Sequence, residues 1–378
     1  MKSQIVFINQ SSGYLMIDIV NAFEGVYDER TIISGIVVER NIALQKEVKQ
    51  ERIIPYDRST KFRRIFTWVW GFIQIVWLIR WKYRNAHLFL VTNPPFSTLL
   101  PFFCRNSFSF LIFDIYPDAL IEYKVLKEES FIVRKWRKYH EIVFKRATRV
   151  ITISSGMREN LLQYYPSVPI DTVNVWADGL FFKQIPKEKN PFITDQSLAD
   201  KFVIMYSGNL GRTHDVDILV DIAEKLQDTD AFVLIIGGGE KRDMIDKKIE
   251  KLKLKNCRLL SLLPVHMLPY SMSAADLGVV SLGREASLLS VPSKTFSLLS
   301  AGRPLLCIAD PSSELACLVK EHLVGESFSP SQLDQMVSFI RKLMQDNVLK
   351  DQLSKNALDA SKKYTPNNAS EIAAWYSA

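Results

Sequence analysis

At 378 residues the chain is long for a single core and suits two domains of ordinary size. Hydrophobic residues make up 47% and charged residues 24%, which excludes a largely disordered chain. The four cysteines (Cys104, Cys257, Cys307, Cys317) form no C-x-x-C pair and the five histidines lack ligand spacing, so neither a disulfide framework nor a metal site is expected.

The opening residues, MKSQIVFINQ, show no long apolar run ending in a small-residue cleavage site, so no secretory signal is expected, and the unpaired cysteines read as reduced thiols of a cytoplasmic protein. The net charge of +7 is unevenly placed. Residues 1–182 hold 24 Lys and Arg against 17 Asp and Glu, whereas residues 183–378 hold 24 of each.

In chain order, the first candidate strands are QIVFIN (4–9) and TIISGIVV (31–38). Next comes Ile65 to Ile79, IFTWVWGFIQIVWLI, apolar on nearly every face and flanked by Arg58, Lys61, Arg63, Arg64, Arg80, Lys82 and Arg84 with no acid between them. This run falls short of the roughly 20 residues that span a bilayer. Trp68, Trp70 and Trp77 among aliphatics, with cations at both ends, suit a helix lying in an anionic membrane interface. A buried helix of the first domain satisfies the same pattern, and one face in the core with another at lipid reconciles the two. Strands HLFLVT (87–92), FSFLIFD (108–114) and RVITIS (149–154) follow, with a second basic cluster from Arg134 to Arg149 opposed only by Glu141. Nucleic acid is the rival partner for such charge, but no recognisable binding module accompanies it.

Residues 183–201 are polar with two prolines and read as a linker. The alternation then restarts with FVIMYSG (202–208), AFVLIIGGG (231–239), CRLLSLL (257–263), DLGVVSL (276–282) and RPLLCIA (303–309). Strands alternating with helices imply parallel sheets covered on both faces. The expected architecture is α/β, with Rossmann-like domains over 1–182 and 202–362, a cleft between them, and a C-terminal segment 363–378 that can pack back on the first domain.

Three stretches carry candidate chemistry. FVIMYSGNLGRTHDVDILV runs from a strand through Gly208 and Gly211 into a helix, which aims backbone N–H groups at a place where an anion can sit. It matches neither a dinucleotide fingerprint nor a Walker loop, and an ordinary βα turn uses the same glycines. AFVLIIGGGEKRDMI lets a ligand approach the backbone at Gly237, Gly238 and Gly239, as any tight turn of this kind does. In SVPSKTFSLLSAGRP, Ser293 can cap a helix and Lys294 stands in its first turn. A cation there opposes the helix dipole unless an anion is bound, so the residue is either a phosphate ligand or a solvated lysine. Two D-x-D spellings, Asp215–Asp217 and Asp228–Asp230, read as a helix start and a turn rather than a metal site.

Taken together, these residues resemble the retaining glycosyltransferases of family 4, which have the GT-B fold, and among them the branch that builds capsule, O-antigen and exopolysaccharide repeat units. The carriers are YSGNLGRTHDVDILVDIA, FVLIIGGGEKRDMI, LPYSMSAADLGVVSL and VPSKTFSLLSAGRPLL, preceded by FDIYPDAL, RVITISSGMRENL and VNVWADG. The resemblance implies a nucleoside diphosphate sugar, most often a UDP-sugar, with no metal or other cofactor, and a lipid-linked glycan acceptor at the inner membrane face. It places Gly208, Asn209, Gly211, Arg212, Ser293 and Lys294 at the donor diphosphate, with Arg212 and Lys294 supplying charge. Gly237 to Gly239, Leu263 and Pro264 would lie near the base, Gly13 would approach the donor from the other domain, and Asp114 would contact the sugar or acceptor. Many members carry two glutamates with seven residues between them; counted back from Ala301-Gly302, these positions are Leu289 and Ser297 here, the latter where relatives grip the ribose. The usual arginine and lysine of the glycine loop are replaced by Asn209 and His214. A nucleotide-sugar 2-epimerase of the same fold and a catalytically degenerate partner subunit are the alternative readings.

Overall fold

The computed structural model describes residues 3–57, 59–122, 126–211, 214–283 and 291–377. The chain divides into two compact units, Met1–Val175 with Pro366–Ala378, and Trp176–Thr365.

The first unit holds β1 (Gln4–Ile8), β2 (Ser11–Ser12), β3 (Glu29–Ser34), β4 (Ile36–Val37) and β5 (Lys49–Arg52). It continues with β6 (His87–Val91), β7 (Phe108–Ile112), β8 (Arg149–Thr152) and β9 (Asp171–Thr172). Seven strands form a parallel sheet in the order β5-β3-β1-β6-β7-β8-β9, and β2 pairs separately with β4. The central strands are buried throughout, as a sheet covered on both faces requires. Its helices are α1 (Tyr14–Ala22), α2 (Lys61–Trp81), α3 (Asp118–Glu122), α4 (Phe131–Arg146) and α5 (Ser155–Tyr164). The C-terminal helix Asn367–Ala374 packs against α1. Beyond it, Tyr376 joins an aromatic cluster with Phe23, Phe89 and His87 at ring-centroid separations of 5.1, 6.2 and 5.6 Å.

The second unit holds β10 (Phe202–Asn209), β11 (Ala231–Gly238), β12 (Cys257–Leu260), β13 (Leu277–Ser281), β14 (Leu305–Ile308) and β15 (Gly325–Phe328). All are parallel, in the order β12-β11-β10-β13-β14-β15. The chain moves outward from β10 to β12, then crosses back to β13 on the other side. The strand order therefore reverses between β10 and β13, and the carboxyl ends of strands at such a reversal are where open parallel sheets take ligands.

Three expectations are corrected. Residues 183–201 are part of the second unit rather than a linker: Phe192, Ile193 and Leu198 are buried, and the helix Pro191–Asp195 packs on the helix Leu268–Ala274. The run 31–38 is two strands, because the chain passes so close to Ile54 and Pro55 at Gly35 that the ladder breaks there. The apolar helix is 21 residues long, since Thr60 caps it by accepting a hydrogen bond from the Arg63 N–H at 3.1 Å.

Candidate functional site

Strand register brings the two glycine stretches side by side. Gly208 lies opposite Gly237, and Asn209 opposite Gly238, at the carboxyl ends of β10 and β11. Backbone bonds lock the following loops together: the Leu210 N–H donates to the Gly238 carbonyl and the Lys241 N–H to the Leu210 carbonyl, each at 2.9 Å. A side chain at position 237 would collide with the Gly208 carbonyl, so glycine permits this close approach.

Lys294 arrives on the same edge. It opens the helix Lys294–Ser300, which follows β13 across the switch point. Its ammonium sits 3.8 Å from the centre of the Tyr206 ring, and Tyr206 is fully buried in β10. A Cβ on Gly208 would meet that ammonium, and Gly208 has φ +155°, a conformation that favours glycine. No carboxylate among the described residues pairs with Lys294, and burial pulls its pKa down to about 7. A desolvated cation with no carboxylate partner, set against glycine backbone, is the chemistry of an anion-binding site.

Neighbouring groups fix its surroundings. The His214 carbonyl accepts from Lys241 Nζ at 2.7 Å, while its own Nδ1 is buried with no hydrogen-bond partner among the described residues. Burial, and then the charge of Lys294, holds its imidazole below the ordinary histidine range. The Asn209 carbonyl accepts from the Tyr206 hydroxyl at 2.7 Å, which fixes the ring under the ammonium. Tyr206 was not among the expected site residues; its only signal in the sequence is an aromatic hydroxyl just before the glycines of an otherwise aliphatic strand.

The other candidates fall into clear places. Gly211 closes the first loop, its carbonyl accepting the His214 N–H at 3.2 Å. Gly239 has φ +147° and lies against Leu210. Leu263 and Pro264 follow β12, with Pro264 exposed at the start of a short turn, Val265–Met267. Ser293 does not cap: its backbone is already helical, its side chain makes no cap bond, and the turn starts with the Thr295 N–H on the Pro292 carbonyl. Ser297 is buried one turn after Lys294. Arg212 and Leu289 lie outside the described residues. In the first unit, Gly13 precedes α1 with open space around its Cα. Asp114 is exposed two residues beyond β7, and its N–H donates to the Thr92 hydroxyl at 3.1 Å.

Three of the four acids in the D-x-D spellings are engaged in ion pairs. Asp217 binds Lys241 at 2.7 Å, Asp228 binds Arg341 at 2.7 Å and Asp230 binds Lys201 at 2.9 Å.

The proposed membrane-facing residues divide. Trp70 and Trp77 are exposed, 47% and 60%, whereas Trp68 turns inward to stack on Tyr56 at 5.5 Å, with the Arg64 guanidinium 5.5 Å from its ring centre. Arg63 pairs with Asp57 and Lys82 with Glu51. Arg80 reaches the Phe103 carbonyl and Arg84 is exposed; Arg58 and the Lys61 side chain lie outside the described residues. By length and composition α2 could cross a membrane, yet Gly71, Ile75, Leu78 and Ile79 are buried in the unit.

Residues 188–359 match the family model of glycosyl transferases group 1. The probable glycosyltransferase WbjE of Pseudomonas aeruginosa is 24% identical over 343 residues, which cover 87% of this chain and 85% of that protein. Among solved structures, WaaG, a glycosyltransferase involved in lipopolysaccharide biosynthesis, aligns with TM-score 0.69 at 13% identity over 97% of this chain and 99% of its own. HepE of Anabaena, solved with UDP, aligns with TM-score 0.72 at 15% identity over 98% of each chain. The chain is a glycosyltransferase with the GT-B fold, and its residues 188–359 match the group 1 model.

Proposed function

We propose that the chain is a retaining, metal-independent transferase of family 4 that moves a sugar from a UDP-sugar onto a lipid-linked glycan or polysaccharide repeat unit, such as capsule or O-antigen, at the cytoplasmic membrane face. The observation that carries this reading is the unpaired Lys294 ammonium, seated on Tyr206 against the Gly208 backbone at the switch point of the second sheet. HepE is described with UDP and WaaG with lipopolysaccharide biosynthesis, which supports a UDP-sugar donor and a lipid-bound acceptor.

On this reading the sugar–phosphate bond breaks as negative charge gathers on the departing diphosphate and positive charge on the sugar. Lys294 and the amides of the glycine loops meet the growing phosphate charge, and they are preorganised because Tyr206 and the β10–β11 register hold them. The departing phosphate takes the acceptor's proton on the face where the new bond forms. Asp114 is assigned to sugar or acceptor contact, not to proton transfer. The charge that metal-dependent transferases draw from a cation held by D-x-D comes here from Lys294, since Asp217, Asp228 and Asp230 are engaged with Lys or Arg.

A thermal-shift panel of nucleotides and nucleotide sugars, followed by NMR of the product, tests the reading. UDP and one UDP-sugar should raise the melting temperature, and the new glycosidic bond should keep the donor's anomeric configuration. Stabilisation by no nucleotide, or an inverted product, contradicts it.

A further inference from the structure

The apolar helix α2 is amphipathic in the reverse sense. Ile65, Phe66, Val69, Trp70, Ile73 and Trp77 recur at helical spacing and are all exposed, with Phe62 and Trp81 extending the stripe to both ends. The opposite face is fixed to the unit: Gln10 Nε2 donates to the Thr67 carbonyl at 2.8 Å, and a side chain on Gly71 would strike Gln10. Lipid therefore cannot surround this helix, and only one side of it is free. An exposed stripe of eight large apolar residues on one helix is far more than solubility tolerates without a partner.

The stripe does not end with α2. Phe72 packs edge-on against Phe103 at 5.5 Å, and the adjacent Phe102 packs against Tyr139 of α4 at 5.2 Å. Phe102 and Phe103 are themselves about half exposed. On α4, Ile132, Lys135, Tyr139, Ile142 and Arg146 share one outward face. Three elements thus present one apolar surface, and the exposed cations Arg80 of α2 and Lys135 and Arg146 of α4 stand along it. α2 contains no acid, and the only one in α4, Glu141, is paired with Lys145 at 2.8 Å.

We infer that α2, the Phe102–Phe103 corner and α4 form a single docking face for an anionic phospholipid bilayer, with α2 lying in the plane of the interface rather than crossing it. The occupant follows from charge and residue type: tryptophans and phenylalanines suit the headgroup–acyl boundary, and flanking lysines and arginines suit anionic headgroups. This inference deepens the lipid-linked acceptor reading and rests on it, because such a face holds the enzyme where its acceptor is.

Co-sedimentation with phosphatidylcholine vesicles, plain or with roughly one-third phosphatidylglycerol, tests it. The wild-type chain should pellet with the anionic vesicles and much less with the neutral ones. Trp70→Glu with Trp77→Glu should lower the bound fraction at least ~5-fold, and Phe102→Glu with Ile142→Glu should do so independently. All four side chains are exposed, so melting temperature and UDP binding should stay at the wild-type level in both variants. Unaltered binding by the second pair overturns the three-element face. So does a wild-type chain that ignores anionic vesicles, or a dimer in solution that Trp77→Glu splits. The acceptor reading fails separately: vesicle binding without transfer to any lipid-linked glycan removes that reading and leaves the docking face standing.

Discussion

Lys294 makes donor binding a proton-linked event. In the free protein its pKa is about 7, because the ammonium is desolvated without a carboxylate to offset the cost. At pH 8 only ~10% of Lys294 is charged, and at pH 9 ~1%. A diphosphate in contact with the ammonium favours the charged form and returns the pKa toward its usual value of about 10. Binding at pH 8 should then take up ~0.9 proton per site, and affinity should fall ~50-fold between pH 7 and pH 9. The second ionisation of a phosphate, near pH 6, lies below this window and does not interfere. Titration of UDP by calorimetry in two buffers of different ionisation enthalpy, at pH 7, 8 and 9, reads both quantities. Lys294→Met should abolish the uptake and weaken binding at pH 7. Because the lowered pKa means that the unfolded state binds the proton more tightly between pH 7 and about 10.5, the native lysine costs stability below pH 7 and the cost fades as pH rises through that window. Lys294→Met should therefore be the more stable protein at pH 6, by roughly 1–3 kcal/mol after allowing for partial contact with water. A flat affinity from pH 7 to pH 9, or the same slope in the methionine variant, refutes the reasoning.

Gly208→Ala places a methyl group against the Lys294 ammonium at φ +155°, so UDP affinity should drop at least ~10-fold with a loss of ~1–3 kcal/mol in stability, read by calorimetry and urea denaturation. His140 is fully enclosed, accepting from the Trp136 indole N–H at 2.8 Å, and burial lowers its pKa to about 3 and that of His87 to about 4. Unfolded histidines bind protons more readily over this range, so stability should be full above pH 6.5 and fall by up to ~1.4 kcal/mol per histidine per pH unit toward pH 4. Urea midpoints at pH 7, 6 and 5 check the slope, and an unchanged midpoint contradicts it. Tyr376→Ala opens the cluster of Phe23, Phe89 and His87 and should cost ~3–5 kcal/mol, seen as an earlier unfolding transition.

What the sequence revealed follows the strength of the physical signal. Strands such as FVIMYSG and AFVLIIGGG are buried on both faces, so their aliphatic runs stand out, and their glycines mark where the chain leaves the sheet. The edge strands KQER and GESF carry no such run, because one side of each meets solvent and backbone pairing alone defines them. Residues 183–201 look polar because Phe192, Ile193 and Leu198 are too widely spaced to form a pattern, yet together they anchor the segment. Lys294 was legible as a cation at a helix start. Its seat on Tyr206 was not, since that contact depends on how β10 and the Lys294–Ser300 helix meet across the switch point. The membrane-facing pattern was legible as composition, but only burial separates Trp68, which turns inward, from Trp70 and Trp77.

The central claim is that Lys294 stabilises a departing diphosphate during sugar transfer. Acceptor-dependent release of UDP from a UDP-sugar, compared between the wild-type chain and Lys294→Ala, tests it most directly. The account predicts release that requires acceptor, with kcat/KM lowered at least ~10-fold in the variant, the order lost with a charge-assisted contact worth ~1.5–3 kcal/mol. Wild-type rates in Lys294→Ala, or free sugar released with no acceptor present, would contradict it.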